Sequence, residues 1–199
     1  EKAIKLDLGI EGKLFNEQVD FTVDFFRDTR NDIFQQRTMV PDYIGLAEQP
    51  FGNVGSMVSY GADGNISFRQ DIGKDFSFTL RGNFTYTANM VKNWEEAFQK
   101  YSYQERADKP YEFYSGYIAL GLFRDENDVK FSPDQSGIAG RKVLPGDIKY
   151  KDINGDGVID TDDQVPLSYS DFPRFMYGFG GEFRWKNLTL GVLFKGIGN

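Results

Sequence analysis

Cysteine and histidine are both absent from the 199 residues. The first absence excludes disulfides and thiolate chemistry. The second removes imidazole metal sites, and together they exclude Ser-His and Cys-His mechanisms. Positive charge is in deficit, with 23 Lys and Arg against 30 Asp and Glu, a net charge of −7 and a pI near 4.7. An acidic chain of this kind makes a poor partner for nucleic acid. No apolar run approaches the length of a spanning helix, and no N-terminal signal segment is visible. Glu1 to Ile4 already read as a strand in progress, as expected of an interior piece of a longer chain. Lack of cysteine fits an exported bacterial protein. No phosphate-cradling glycine loop, nucleophile elbow or basic aromatic patch occurs. Acid pairs do occur at Glu95-Glu96 and Asp162-Asp163, but the first suits an opening helical turn and the second a ligand loop. The expectation is a protein that is not an enzyme.

What the chain has in quantity is alternation. It is 40% hydrophobic and 16% aromatic, enough apolar material for an ordered fold. From Phe76 to Asn89 one face reads Phe, Phe, Leu, Gly, Phe, Tyr, Ala and the other Ser, Thr, Arg, Asn, Thr, Thr, Asn. The same period of two recurs in Ile4 to Ile10, Val19 to Phe25, Val58 to Ile72, Tyr177 to Trp185 and Leu188 to Phe194. This predicts six antiparallel strands, at 3–15, 18–28, 54–72, 75–90, 174–186 and 188–198. Short turns (Asn16-Glu17-Gln18, Gly73-Lys74-Asp75, Lys186-Asn187) alternate with long polar stretches, roughly 28–53 and 91–172. Strands of about 10 residues with loops long on one side only suit a transmembrane barrel. A soluble β-sandwich gives the same alternation with its apolar face turned inward. A short helix capped by Asn93 is expected over 93–101, where Trp94, Phe98 and Tyr101 fall at helical spacing. Its aromatics would pack the helix against the barrel rim, or stack on a sugar or a partner.

The segment 152–163 carries the most specific pattern. Asp152, Asn154, Asp156, Asp160 and Asp163 place oxygen donors at positions 1, 3, 5, 9 and 12 of a twelve-residue loop, and Gly157 stands at position 6. The carbonyl of Val158, at position 7, completes a calcium set of the EF-hand or dockerin kind. Asp163 is shorter than the Glu that usually closes such loops, which weakens the helix-flanked version more than calcium binding itself. An acidic, glycine-rich turn that binds nothing is the plainer alternative.

Gly146-Asp-Ile-Lys-Tyr-Lys-Asp152-Ile-Asn-Gly-Asp-Gly-Val-Ile-Asp160-Thr-Asp-Asp163 also resembles a segment of the SusC/RagA-like TonB-dependent transporters of Bacteroidetes. The run Phe172-Pro173 to Gly180 resembles the strand that follows in that family, and Asn53-Val54-Gly55 to Phe68 resembles an earlier one. Tyr117 to Phe123 is similar to an apolar loop segment of the same proteins. The resemblance covers most of the chain. It implies the C-terminal region of a 22-stranded outer-membrane β-barrel, without its plug, TonB box or final strand, all-β apart from loops that include a short helix and the calcium segment. It further implies uptake of an oligosaccharide or peptide substrate with a SusD-like lipoprotein lid, driven by TonB, ExbB and ExbD, with the strands facing outer-membrane lipid. The other reading is a soluble calcium-stabilised β-sandwich that binds carbohydrate or a cell-surface partner.

Overall fold

A computed structural model describes residues 1–41, 45, 47–169 and 172–199. Ser170 and Asp171, within the expected 91–172 loop, lie outside the described residues, as do 42–44 and 46 within the 28–53 stretch. The long strands are β1 (Lys2–Leu14), β2 (Val19–Gln36), β3 (Phe51–Ile72) and β4 (Phe76–Asn93). Between β4 and the last two strands lie β5 (Phe113–Gly116), β6 (Ala119–Leu122), α1 (Glu126–Lys130), α2 (Ser136–Ala139), β7 (Ile148–Tyr150) and β8 (Val165–Tyr169). The chain then returns through β9 (Phe175–Trp185) and β10 (Leu188–Gly198). The six long strands form one antiparallel sheet in the order β1-β2-β3-β4-β9-β10, which does not close on itself. The chain divides into two compact units, one of 1–96, 106–111 and 171–199 and the other of 97–105 and 112–170.

The first unit is the large sheet. Residues directly opposite each other on neighbouring strands share a face. The register therefore carries one face across all six strands: Leu8 opposes Phe25, Phe25 opposes Ala62, Ala62 opposes Tyr86, Tyr86 opposes Phe175. Lower down, Phe76 opposes Trp185, and Trp185 opposes Leu188. Every strand gives its hydrophobic set to this same face. The other face carries Asp7, Asp24, Asp63, Thr85 and Arg81. The apolar face is uncovered within the unit, and Leu6 is 67% exposed. A sandwich would bury these residues in its core.

Two expected features are corrected. β2 runs to Gln36 and β3 begins at Phe51, so the polar stretch between them shrinks to 37–50. The alternation in Thr29 to Gln36 is too polar to read as strand by hydrophobicity alone. The second correction is that residues 94–99 are not helical, because β4 extends to Asn93. The Asn93 side-chain amide donates to the Val54 carbonyl instead of capping a helix. Glu95 is drawn off to Arg37, 3.0 Å away, and its carbonyl accepts from the Thr38 hydroxyl. The Glu96 carboxylate accepts from the backbone N–H of Arg106. These long-range bonds compete with the i to i−4 ladder and hold the segment extended. The loop does contain short helices, α1 and α2, further along.

Candidate functional site: the 152–163 loop

The second unit gathers around the acidic loop. Gly155 and Gly157 take left-handed backbone at φ +78° and +85°, the conformation that lets the chain wind tightly. The winding turns backbone N–H groups inward onto the loop's own side chains. Asp152 accepts from Gly155 (2.6 Å) and Gly157 (2.9 Å). Asn154 accepts from the Asp156 N–H, and its amide donates back to the Asp156 carboxylate. Asp156 also accepts from Val158. Those bonds favour the charged form and hold the Asp156 carboxyl below its ordinary range, the Val158 N–H being the larger cause.

Asp163 holds a different place. Its carboxylate is fully buried and accepts three N–H groups, from Ile153, Asn154 and Asp160. It therefore joins the start of the loop to its end. Asp160 caps the one-turn 3-10 helix Thr161–Asp163 by accepting from Asp162, and the reciprocal bond from Asp163 completes a capping box. Ile159, 1% exposed, anchors the loop from beneath. Asp134 adds a short parallel bridge, its N–H donating to the Gly157 carbonyl and its carbonyl accepting from Ile159. That bridge uses the carbonyls of Gly157 and Asp134, not that of Val158.

The six expected ligands thus sit on one loop in the expected order. Among the described residues, however, no three acidic side chains converge on one point. Each carboxylate is occupied first by N–H groups of its own loop. The donor types and the left-handed glycines fit a hard cation such as calcium. A carboxylate oxygen that accepts one N–H keeps a lone pair for a metal.

Other contacts of this unit could not be read from spacing. Lys100 lies 2.7 Å from the Asp162 carboxylate, which raises its pKa. The Tyr103 hydroxyl donates to the Asp162 carbonyl and the Gln104 amide to that of Thr161. Segment 97–105 thus clasps the loop's far end. Arg141 forks onto Asp147 at 2.7 and 2.9 Å, and Lys149 reaches Asp128 at 2.8 Å. The side chain of Gln135, 4% exposed, donates to the Ile148 carbonyl and accepts from the Tyr150 N–H, standing in for a strand neighbour of β7.

The aromatic candidates separate. Trp94 meets Tyr111 edge-on and carries Arg106 over its ring. Phe98 is almost wholly exposed, while Tyr101 stacks on Tyr103. Tyr117 accepts from Gln164 and leans on Tyr150.

Comparison with known proteins supplies context for both units. The model of the family described as "TonB dependent receptor-like, beta-barrel" matches residues 1–199. TonB-dependent receptors P3 and P26 of Formosa agariphila are each 25% identical over 98% of this chain. The chain spans about a fifth of those relatives, 20% of each. Among solved structures, the RagAB peptide transporter superposes on 97% of the chain with a TM-score of 0.66 at 21% identity, and the RagAB importer in its closed-closed state with 0.63 at 24%.

Proposed function

This chain belongs to the TonB-dependent receptor-like β-barrel family of the bacterial outer membrane, and we propose that its sheet is a stretch of the wall of a nutrient importer. The observation that carries this reading is the single apolar face shared by all six strands. Trp185 and Phe76 mark one end of it, and Tyr86 and Phe175 the other. Ten residues separate Trp185 from Phe175, which at ~3.3 Å each is about 33 Å along the strand. At a tilt of about 40° the rise is roughly 25 Å, the height of the lipid-facing band of an outer-membrane barrel. In the intact protein, such strands would complete a closed barrel of 22, with the polar face lining its lumen.

The importer takes up an oligosaccharide or a peptide without chemical conversion, drawing energy through TonB, ExbB and ExbD and working with a SusD-like surface lipoprotein. RagAB, which has the same fold, is described as a peptide transporter, and this supports the peptide alternative. The test is uptake of labelled oligosaccharide and labelled peptide by cells expressing the intact receptor and its lipoprotein. Entry of either solute that stops when TonB is deleted supports the reading. Absence of entry, or entry indifferent to TonB, rejects it.

Within the loop unit we propose calcium as a structural staple. Asp152, Asn154, Asp156, the Val158 carbonyl, Asp160 and Asp163 would hold it, and the ion would neutralise part of a dense run of carboxylates. Ordering residues costs roughly 1–2 kcal/mol each, and a bound cation offsets part of that for the second unit. Thermal melting of the intact receptor in calcium and in EDTA tests this. A lower melting temperature in EDTA is expected for the parent, and no difference for Asp152→Ala/Asp156→Ala. A parent indifferent to EDTA rejects it.

A further inference from the structure

One positive charge stands alone on the apolar face of the large sheet. Every acid that the six strands pair in regular register belongs to the polar face, as do most of the lysines and arginines. On the apolar face the paired positions hold only Lys2 and Arg27. Lys2 is 3.5 Å from Asp32, which falls in the bulge between Arg30 and Ile33. Arg27 is exposed, and among the described residues it has no ion-pair, hydrogen-bond or ring partner.

Its depth is specific. Leu6 and Tyr60 stand directly opposite Arg27, one on each neighbouring strand. Phe25, two residues back, belongs to the row of Leu8, Ala62, Tyr86 and Phe175 that marks the loop end of the apolar band. Two residues at ~3.3 Å each, tilted by about 40°, carry Arg27 about 5 Å in height beyond that row. That is headgroup depth, on the side of the long connections, which in outer-membrane barrels is the outer side. The turn end has no counterpart. Its paired apolar positions, such as Leu14, Val19, Phe76, Trp185 and Leu188, include no lysine or arginine. Lys186, over the Trp185 ring, sits in the turn itself.

A second guanidinium reaches the same level. Arg174, just before β9, lies over the Tyr86 ring at 5.6 Å and donates to the Tyr86 hydroxyl at 2.9 Å. Tyr60, opposite Ala88, is the diagonal neighbour of Tyr86, so two tyrosines separate the two arginines. Three strand spacings of ~4.8 Å, about 14 Å, lie between the arginine backbones. We propose that Arg27 and Arg174 hold the phosphate of an outer-leaflet lipid headgroup against the barrel wall, an inference that rests on the lipid-facing reading above. A guanidinium fork matches phosphate oxygens in pairs. Tyr86, accepting from Arg174, keeps its own O–H to donate to the headgroup. In a chain of net charge −7, a face without a paired acid offers an anionic headgroup no repulsion.

In the experiment, the intact receptor in detergent is titrated with monophosphoryl lipid A, with the same lipid after dephosphorylation, and with inorganic phosphate. Native mass spectrometry counts the bound lipid. The parent is expected to hold the phosphorylated lipid about tenfold more tightly than the dephosphorylated one. Arg27→Gln and Arg174→Gln should each remove most of that difference at an unchanged melting temperature. Arg27→Lys, which keeps the charge without the fork, should retain only part of it. The proposal is overturned if the parent shows no preference for phosphate, as for an arginine that only reaches water. It is overturned equally if Arg27→Gln binds as the parent does, or if inorganic phosphate at equal concentration displaces the lipid, which would make the ligand a free anion. Leu80→Arg, deep in the band, separates the two readings. If it is costly to refold into vesicles and Arg27→Gln still binds as the parent does, the headgroup site alone falls. If it refolds as readily as the parent, the lipid-facing wall falls and the site with it.

Discussion

Asp24 on β2 and Asp63 on β3 stand directly opposite each other on the polar face of the sheet. The Asp24 carboxylate leans over Gly9 of β1, where a Cβ would collide with it. Like charges in this position cost stability unless water screens them. One position along the same strands, on the opposite face, Phe25 opposes Ala62. The two faces of this strand pair therefore differ sharply in polarity, as the proposed wall between lipid and water requires. Removing one charge tests this: Asp63→Asn should stabilise the intact receptor by about 0.2–1 kcal/mol at low salt, and the gain should shrink as salt rises. A destabilised Asp63→Asn would show that the pair is held by a partner rather than tolerated by water.

Depth along the apolar face gives a second prediction. Leu80 lies between the Phe76 and Tyr86 levels, near the middle of the band, and opposes Gly181. Leu80→Arg should cost roughly 2–4 kcal/mol, whereas Phe76→Arg at the band's edge should cost about 0–1. Thr85→Arg, facing the other way beside Asp63, should be close to neutral. Refolding titrations into vesicles read all three. Equal costs for Leu80→Arg and Phe76→Arg would contradict a lipid-facing band.

The loop unit should carry an acid limb. Asp128 beside Lys149 and Asp147 beside Arg141 both have lowered pKa values, each chiefly through the side-chain bond to its basic partner. A carboxylate with a depressed folded pKa contributes stability above its unfolded value near 3.8, and that contribution is lost as pH falls through the folded value. Hydrogen exchange in β6 and β7 should therefore accelerate below about pH 4. Asp147→Asn should flatten that dependence. An unchanged profile in Asp147→Asn would remove the pair as its cause.

The strands were legible because hydrophobic period and register agree: the set that alternates in Phe76 to Ala88 is the set that the pairing places on one face. The tight winding of 152–163 around Gly155 and Gly157 was equally visible, since a loop's spacing is local. What escaped was non-local. Nothing near Glu95 or Glu96 in sequence announces Arg37 or the Arg106 N–H, yet those bonds overrule the helical spacing of Trp94, Phe98 and Tyr101. The role of Asp163 was hidden for a related reason. Spacing marks it only as an oxygen donor; its burial and its three N–H donors, which also make it the clasp of the loop, are set by the fold.

The extended course of 94–99 makes a simple prediction. Glycine in a helix interior costs about 1 kcal/mol relative to alanine. Ala97 lies in this segment outside any helix, so Ala97→Gly should change stability by less than about 0.5 kcal/mol. A loss of the full helical amount in a thermal melt of the receptor would restore the helix.

The clasp formed by Asp163 can be separated from metal binding. Its carboxylate holds the N–H groups of Ile153, Asn154 and Asp160 in a site without solvent access. Removing it leaves buried donors unpaired, at about 1–3 kcal/mol for each such group. Asp163→Ala should therefore destabilise the second unit by roughly 3 kcal/mol in EDTA as well as in calcium. Asp152→Ala/Asp156→Ala, whose bonds lie on the exposed side of the loop, should lower stability in calcium far more than in EDTA. Limited proteolysis between β5 and β8 under both conditions reads the difference. If Asp163→Ala weakens the loop only when calcium is present, its carboxylate is a ligand first and a clasp second.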